Sequence, residues 1–414
     1  MSTNQVPFFR PYIEELELNE VLDTIHSGWI TSGAKVKRFE QEFASAVGAS
    51  RAVAVNSCTA ALHLALEALG VNSGQAVLVP TMTFAATAAV VRYLGAIPIL
   101  VDCDPLTNNM NLLDASLKLS RLRDGKLLKG LPRETAVSAI MPVHVGGMMM
   151  DVRAIDSFAS DHGLRVIEDG AHAFPSAWRP GPDEPWQRCG ERTAHVTCFS
   201  FYANKTITTG EGGMAVTDNV EVAERIRSMS LHGLSQNAWG RYSNAGNWDY
   251  KIVAPGYKYN LTDIAAAIGI HQLAKAEKMR QMREGVARHY REALADIEEV
   301  ELPADDSNRI HSWHLFPIKL RLDRLSINRN EFMEKLKEGG VGCSAHWRPL
   351  HLHPYYEETF GWRPEDLPVA TAEWKRSISL PIFPGMNGED LEHVAHTVRS
   401  VCARHSRVYA AGLL

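Results

Sequence analysis

Seven short apolar runs recur between residues 51 and 217, each separated from the next by a connection long enough for a helix, and no feature of the chain constrains its fold more. They are Arg51-Ala-Val-Ala-Val-Asn, Ala76-Val-Leu-Val-Pro, Pro98-Ile-Leu-Val-Asp, Ala136-Val-Ser-Ala-Ile-Met-Pro-Val, Leu164-Arg-Val-Ile-Glu-Asp, His195-Val-Thr-Cys-Phe-Ser-Phe and Gly213-Met-Ala-Val-Thr-Asp. A helical pattern, Thr59-Ala-Ala-Leu-His-Leu-Ala-Leu-Glu-Ala-Leu, follows the first run. Short β-branched runs alternating with helices are the signature of βα units. Runs apolar on both faces imply a mainly parallel sheet covered on both sides. Several runs end in Asn, Asp, Pro or Ser, which puts polar groups at the carboxyl edge, where open α/β sheets bind ligands.

Beyond that sheet, Ile264 to about Glu299 reads as one long helical stretch, suited to a spine joining two units. Residues 305–414 have strand and helix signals of their own, Trp313-His-Leu-Phe-Pro-Ile-Lys-Leu and Arg329-Asn-Glu-Phe-Met-Glu-Lys-Leu. The expected organisation is a large domain with an N-terminal arm over 1–262, a connecting helix over 263–304 and a small α+β domain over 305–414. Segment 178–192, rich in Pro, Gly and charge, reads as a surface loop. The 414 residues, 45% hydrophobic and 22% charged, suit a globular protein and exclude a disordered or collagen-like chain. With 43 Lys and Arg against 48 Asp and Glu, the net charge of −5 offers no footprint for nucleic acid or an anionic membrane. The six cysteines form no C-x-x-C pair, so they read as reduced and mostly buried thiols. Neither a signal peptide nor an apolar run of membrane-spanning length is evident, which places the expected location in the cytoplasm.

Four sets of residues bear on chemistry. Ser57-Cys58-Thr59 lies between a strand and an apolar helix, where N–H groups and hydroxyls converge on the positive end of the helix and would hold a phosphate; a plain helix cap is the simpler alternative. Phe84 follows the second run and could lie over a planar ring. Glu168-Asp169 ends an apolar strand, so Asp169 is a desolvated carboxylate in need of a partner, and His172 stands three residues on. Lys205 follows the strand ending Cys198-Phe-Ser-Phe and precedes Thr206-Ile-Thr-Thr-Gly-Glu-Gly-Gly, with Ser200 on the same strand. A lysine held near apolar surface loses its proton readily and becomes a nucleophilic amine, and the Gly210, Gly212 and Gly213 turn suits close backbone approach to a ligand. An amine nucleophile, a carboxylate, an aromatic and an anion cradle together are what pyridoxal 5'-phosphate (PLP) needs. No metal site is expected: His346, His351 and His353 show no metal-ligand register and read as exposed loop histidines, and no H-E-x-x-H occurs.

These segments, Ser200-Phe-Tyr-Ala-Asn-Lys-Thr-Ile-Thr-Thr-Gly-Glu-Gly-Gly, Glu168-Asp-Gly-Ala-His-Ala, Asn56-Ser-Cys-Thr-Ala-Ala-Leu-His-Leu-Ala-Leu and Trp29-Ile-Thr-Ser-Gly-Ala-Lys-Val, resemble the DegT/StrS family of sugar-nucleotide aminotransferases over nearly the whole chain. Pro255-Gly-Tyr-Lys-Tyr-Asn-Leu, Ile310-His-Ser-Trp-His-Leu-Phe, Ala345-His-Trp-Arg and Ser379-Leu-Pro-Ile-Phe-Pro are most similar to the family's UDP-4-amino-4-deoxy-L-arabinose aminotransferases. The resemblance implies the aspartate aminotransferase fold (PLP fold type I), a homodimer with shared active sites, and amino transfer from glutamate or glutamine to a nucleotide-linked keto sugar for polysaccharide or antibiotic sugars. It gives Lys205 the covalent bond to the cofactor, Asp169 the pyridine contact, Phe84 and His172 the ring contacts, and Ser57, Cys58, Thr59 and Ser200 the phosphate. Trp29, Thr31, His346 and Arg348 are the implied substrate contacts. Where many members carry an asparagine that reaches the partner's cofactor phosphate, this chain has Lys258, with Asn260 two places later. The aromatics Trp239, Trp248, Tyr250, Tyr257 and Trp347, with Lys251, Lys258 and Arg348, suit either a nucleotide cleft or a dimer interface.

A dinucleotide-dependent oxidoreductase lacks its strand–G-x-G-x-x-G–helix signature here. Two readings stay beside the aminotransferase: a PLP-dependent sugar dehydratase of the same family, which would carry histidine in place of Lys205, and a non-catalytic PLP or sugar-nucleotide-binding regulator that keeps the fold.

Overall fold

The structure, a computed structural model, describes residues 5–128, 130–191, 194–235 and 251–407. Trp239, Trp248 and Tyr250 therefore lie outside the described residues. In chain order the first part comprises α1 (Glu15–Ser27), α2 (Ala34–Val47), β1 (Arg51–Val55), α3 (Cys58–Ala68), β2 (Ala76–Pro80), α4 (Ala85–Tyr93), β3 (Ile97–Val101), α5 (Leu112–Arg123), β4 (Val137–Ile140), α6 (Val152–His162), β5 (Arg165–Asp169), β6 (Ala177–Trp178), β7 (Gln187–Arg188), β8 (Val196–Ser200), β9 (Gly213–Thr217) and α7 (Val220–Ser230). All seven apolar runs are strands of one sheet, ordered β1-β9-β8-β5-β4-β2-β3. The pairings of β2 with β3 and β4, β4 with β5, and β5 with β8 are parallel, and β9 runs antiparallel between β1 and β8.

Strand periodicity explains why β2 is buried on both faces. Val77 and Val79 join a core with Leu62 of α3 and Val90 of α4, whereas Ala76 and Leu78 point the other way, into a core with Leu119 of α5 and Ile155 of α6. Deleting one such side chain, as in Leu78→Ala, costs about 2–5 kcal/mol. The helices start where their caps dictate. The Ser57 hydroxyl accepts from Ala60 N–H at the head of α3, and Asp151 and Asn219 cap α6 and α7 in the same way.

The rest of the chain forms α8 (Asp263–Ala274), α9 (Ala276–Leu294), β10 (Val300–Glu301), β11 (Arg309–Ile310), β12 (Phe316–Leu320), α10 (Arg329–Glu338), α11 (Pro354–Phe360), α12 (Pro368–Trp374), β13 (Ser377–Leu380) and α13 (Gly388–His405). Strands β10, β12 and β13 make a second, antiparallel sheet, packed with α9, α10 and α13 around Phe316, Ile318, Phe332 and Val398. Asp102, just past β3, accepts from Val369 and Ala370 N–H at 2.9 and 2.8 Å and so docks α12 onto the carboxyl edge of the large sheet.

Two expectations need correction. The long helix is two helices ending at Leu294, broken at Lys275 (φ −108°, ψ 9°), whose ammonium is tied to Glu17 at 2.6 Å and Glu14 at 3.1 Å. An apolar, buried α8 and an amphipathic α9 face different surroundings, and the break lets each turn its own side inward. Segment 178–192 is not wholly a surface loop: β6 and β7 pair with β11 in a three-stranded sheet, and Trp178 is fully buried.

Candidate active site

Asp169 occupies the last position of β5, and its position follows from the strand: Val166 and Ile167 bury the β5 stem, and the carboxylate emerges at the edge, only 5% exposed. One oxygen accepts from the Thr87 hydroxyl at 2.8 Å and the other from Ala171 N–H at 3.1 Å. Thr83 in turn meets the Thr87 hydroxyl at 2.8 Å. Burial pushes the carboxyl above its ordinary range, while Thr87, Ala171 and the nearby Lys205 ammonium favour the ionised form.

Lys205 faces that carboxylate. Burial pushes its ammonium down from 10.5 to about 8, against the opposing pull of Asp169 and Cys58. Cys58 itself, the first residue of α3, is raised well above the usual thiol range by burial and by Asp169. Asp169, Lys205 and the head of α3 thus meet at one edge of the sheet. The N–H groups of Cys58 and Thr59 precede the intrahelical ladder of α3. Beside them the backbone of β9 comes so close that a Cβ on Gly213 would stand 2.4 Å from the Ser57 carbonyl carbon and 2.5 Å from Cys58 N. Ser200, at the end of β8, pairs in register with Gly213. Phe84 is the N-cap residue of α4, 64% exposed, one turn before Thr87.

At the same edge, His172, three residues past β5, meets aromatic rings from the segments flanking the small sheet. His172 lies 4.1 Å, ring to ring, from His314 and is stacked on Trp347 at 5.0 Å. Gly146 N–H donates to His172 Nδ1, leaving the ring hydrogen on Nε2. His346 Nδ1 meets the Ser379 hydroxyl at 2.9 Å, and the ring stacks on Phe8 of the N-terminal arm. Burial, reinforced by Lys205, pushes His346 down to about 4 and holds His172 and His314 well below the ordinary imidazole range. All three rings are neutral near pH 7.

The remaining expected site residues lie elsewhere. Trp29 donates to Ser32 C=O at 3.0 Å, and Thr31 C=O accepts from Asp263 N–H at 3.0 Å. The exposed Lys258 ammonium donates to Asn260 Oδ1, and Asn260 donates to the Ser32 hydroxyl at 2.7 Å. Trp29, Ser32 and Asn260 line a surface cavity of about 660 Å³ that excludes Lys205. Arg348 is exposed and donates to Leu352 C=O at 3.0 Å. His351 is a further correction. It is buried, not an exposed loop histidine, because its two ring nitrogens bridge Thr81 and Thr371 at 2.8 Å each. Behind Asp169, His144, Glu168 and Cys189 come together. The lone pair of His144 Nδ1 is committed to Met150 N–H, so Nε2 carries a hydrogen toward Glu168 Oε2 at 3.7 Å.

Sequence reasoning missed Thr87, Thr83, His314, Ser379 and Phe8. Thr87 was detectable as the residue one helical turn past Phe84; the others come from distant segments and left no local signal.

The residues present fit PLP: a carboxylate oriented by two donors for a ring nitrogen, a depressed amine beside it, and a helix N-terminus that glycine allows another strand to approach. Comparison with known proteins agrees. The profile of the DegT/DnrJ/EryC1/StrS aminotransferase family matches residues 11–399. The chain is 43% identical to the uncharacterized protein MJ1066 of Methanocaldococcus jannaschii, over 97% of this chain and 98% of that one. It is 40% identical to the spore coat polysaccharide biosynthesis protein SpsC of Bacillus subtilis, over 96% and 97%. Spr1654 of Streptococcus pneumoniae, assigned as a sugar aminotransferase and solved in PLP and PMP forms, superposes with a TM-score of 0.83 at 28% identity, covering 97% of this chain and 98–99% of Spr1654. With the aspartate aminotransferase-like fold and this edge in place, the chain belongs to the DegT/DnrJ/EryC1/StrS family of PLP-dependent sugar aminotransferases.

Proposed function

We propose that the protein transfers an amino group from glutamate or glutamine to a nucleotide-linked keto sugar, with the keto group at C4, in a cytoplasmic homodimer whose two active sites are shared. The observation that carries the reading is Lys205, an amine depressed to about 8 and facing the buried Asp169. When bound, PLP supplies an electron sink that lets a proton leave the carbon bearing the transferred nitrogen. Lys205 Nζ then takes that proton and returns it to the other carbon, a role that needs an amine able to lose and regain a proton near neutral pH. Asp169, its two oxygens aligned by Thr87 and Ala171, holds a proton on the pyridine nitrogen. His172, fixed by Gly146 and stacked on Trp347, and Phe84 orient the ring, and Ser57, Cys58, Thr59 and Ser200 bind the phosphate. His346, buried beside Lys205, contacts the substrate, and Trp29, Thr31, Arg348 and Lys258, which stand away from Lys205 within this chain, serve the shared sites of the dimer.

The homodimer has support in α1, where Leu18, Leu22 and Ile25, at i, i+4 and i+7, are all half-exposed along one face. The polysaccharide setting of SpsC supports a product destined for a cell-surface polymer. The deciding experiment adds a panel of UDP-, dTDP- and GDP-linked 4-keto sugars to the aminated cofactor form and follows loss of its absorption band. At least one should discharge the band within seconds; free keto sugars discharging it equally well would reject the nucleotide link. Glutamate and glutamine are then compared as donors for restoring it.

A further inference from the structure

Beside Lys205, on the side of the N-terminal arm, lies a small cavity lined by Arg10, Asn204, Lys205 and Arg283 together with apolar and neutral side chains. Its lining holds three cations and, among the described residues, no carboxylate. Arg283 is 3% exposed. Its Nη1 donates to Ile382 C=O at 2.6 Å and Trp313 C=O at 3.3 Å, while its Nε is buried with no hydrogen-bond partner. Burial pushes the guanidinium down to about 10, so it remains charged at neutral pH. A buried cation without a counter-ion is costly, and natural sites supply one. Asn204 Oδ1, in the same lining, is likewise buried without a partner. At the mouth, Arg10 is exposed and makes no ion pair or side-chain hydrogen bond among the described residues.

We propose that Arg283 and Arg10 form a carboxylate subsite for the amino-acid donor beside Lys205, with Asn204 accepting from the donor's amino group. The inference rests on the aminotransferase reading and names the donor's anchor within it. A cationic donor pair and a lone acceptor in one small space are the complement of an amino acid, whose nitrogen and carboxylate stand within a few bonds of each other. The enclosed volume, about 10 Å³, admits one water-sized group, so a single carboxylate oxygen enters against Arg283 while the rest of the donor lies outside it. Arg10, free at the entrance, then pairs with the outer oxygen in the forked geometry that guanidinium and carboxylate share.

The test uses the PLP-loaded protein and glutarate, a dicarboxylate with no amino group to react, titrated by calorimetry. Wild type should bind it. Arg10→Ala and Arg283→Lys should each weaken binding about tenfold or more, equivalent to about 1.4 kcal/mol, whereas Arg10→Lys should recover most of the affinity. Arg10 is exposed, so its substitution keeps the test valid should Arg283→Lys prove poorly folded by circular dichroism. In the half-reactions, conversion of bound cofactor by L-glutamate should suffer more than its return by the keto sugar. Glutarate binding that ignores both substitutions overturns the subsite even when L-glutamate converts the cofactor normally. Inorganic phosphate binding as tightly as glutarate overturns the assignment to a carboxylate. Wild type that binds glutarate but is converted by no amino acid counts against the aminotransferase reading, and the donor assignment falls with it.

Discussion

At the scale of single residues the proposed chemistry turns on Lys205 and Asp169. With its ammonium pushed to about 8, roughly one Lys205 in ten is a free amine at pH 7, against about one in 3,000 for a lysine at its ordinary 10.5. Only the free amine attacks an aldehyde, so the rate at which cofactor-free protein captures PLP should climb about fivefold from pH 7 to pH 8 and flatten above about 9. Borohydride trapping with peptide mapping at Lys205 measures it; a climb continuing to pH 10.5 would show an unperturbed lysine. Lys205→Ala should lose roughly 10²–10⁴ in transamination rate with an unchanged circular dichroism spectrum, and turnover within tenfold of wild type would refute the role. Asp169→Asn should keep the cofactor yet turn over about a hundredfold or more slowly, because a neutral amide cannot hold the ring nitrogen protonated. A variant that simply fails to retain PLP would assign Asp169 to binding alone.

Elements decide whether those residues can meet a ligand. Strand β9 touches the head of α3 only because residue 213 is glycine: the added Cβ of Gly213→Ala would stand 2.4 Å from Ser57 backbone. Either the strand or the head of the helix must shift, at a strain cost of about 1–3 kcal/mol. We expect the variant to melt several degrees lower and to bind PLP about tenfold more weakly, read by calorimetry and by cofactor fluorescence titration. Unchanged affinity would mean that the α3 head does not hold the phosphate. The seven strands of the large sheet were legible in the sequence, because a run buried on both faces has to be apolar throughout. The break between α8 and α9 was not: Lys275 is an ordinary helix residue, and its ammonium is held at the break by Glu14 and Glu17 at the head of α1, more than 250 residues earlier in the sequence.

For the whole molecule the issue is assembly. The half-exposed stripe of Leu18, Leu22 and Ile25 on α1 predicts a homodimer by light scattering, and charge in that stripe, as in Leu22→Glu, should shift the population to monomer and lower activity. A monomeric wild type would remove the shared-site reading. His346 ties the N-terminal arm, the small sheet and the Lys205 edge together through Phe8, Ser379 and burial beside Lys205. His346→Ala should raise the keto-sugar KM or lower kcat while sparing the donor half-reaction; equal damage to both would make its role structural. Because burial holds His346 near 4, it stays neutral above about pH 5, and no limb of the pH profile between 5 and 7 should vanish with it.

The sequence by itself determined the seven-stranded sheet and singled out its carboxyl edge, with Ser57–Thr59, Asp169 and Lys205, as the candidate site, because each of these follows from short-range pattern: apolar runs, polar strand ends and the first turn of a helix. Tertiary structure alone decided that Thr87 steers Asp169, that His172, His314, His346 and Trp347 make one neutral wall, that His351 is a buried bridge, and that Arg283 lies beside Lys205 with no counter-ion among the described residues. Those facts depend on which side chains distant segments bring within hydrogen-bonding reach and on how much water they exclude. Neither distance nor dielectric is written in the neighbours of a residue along the chain.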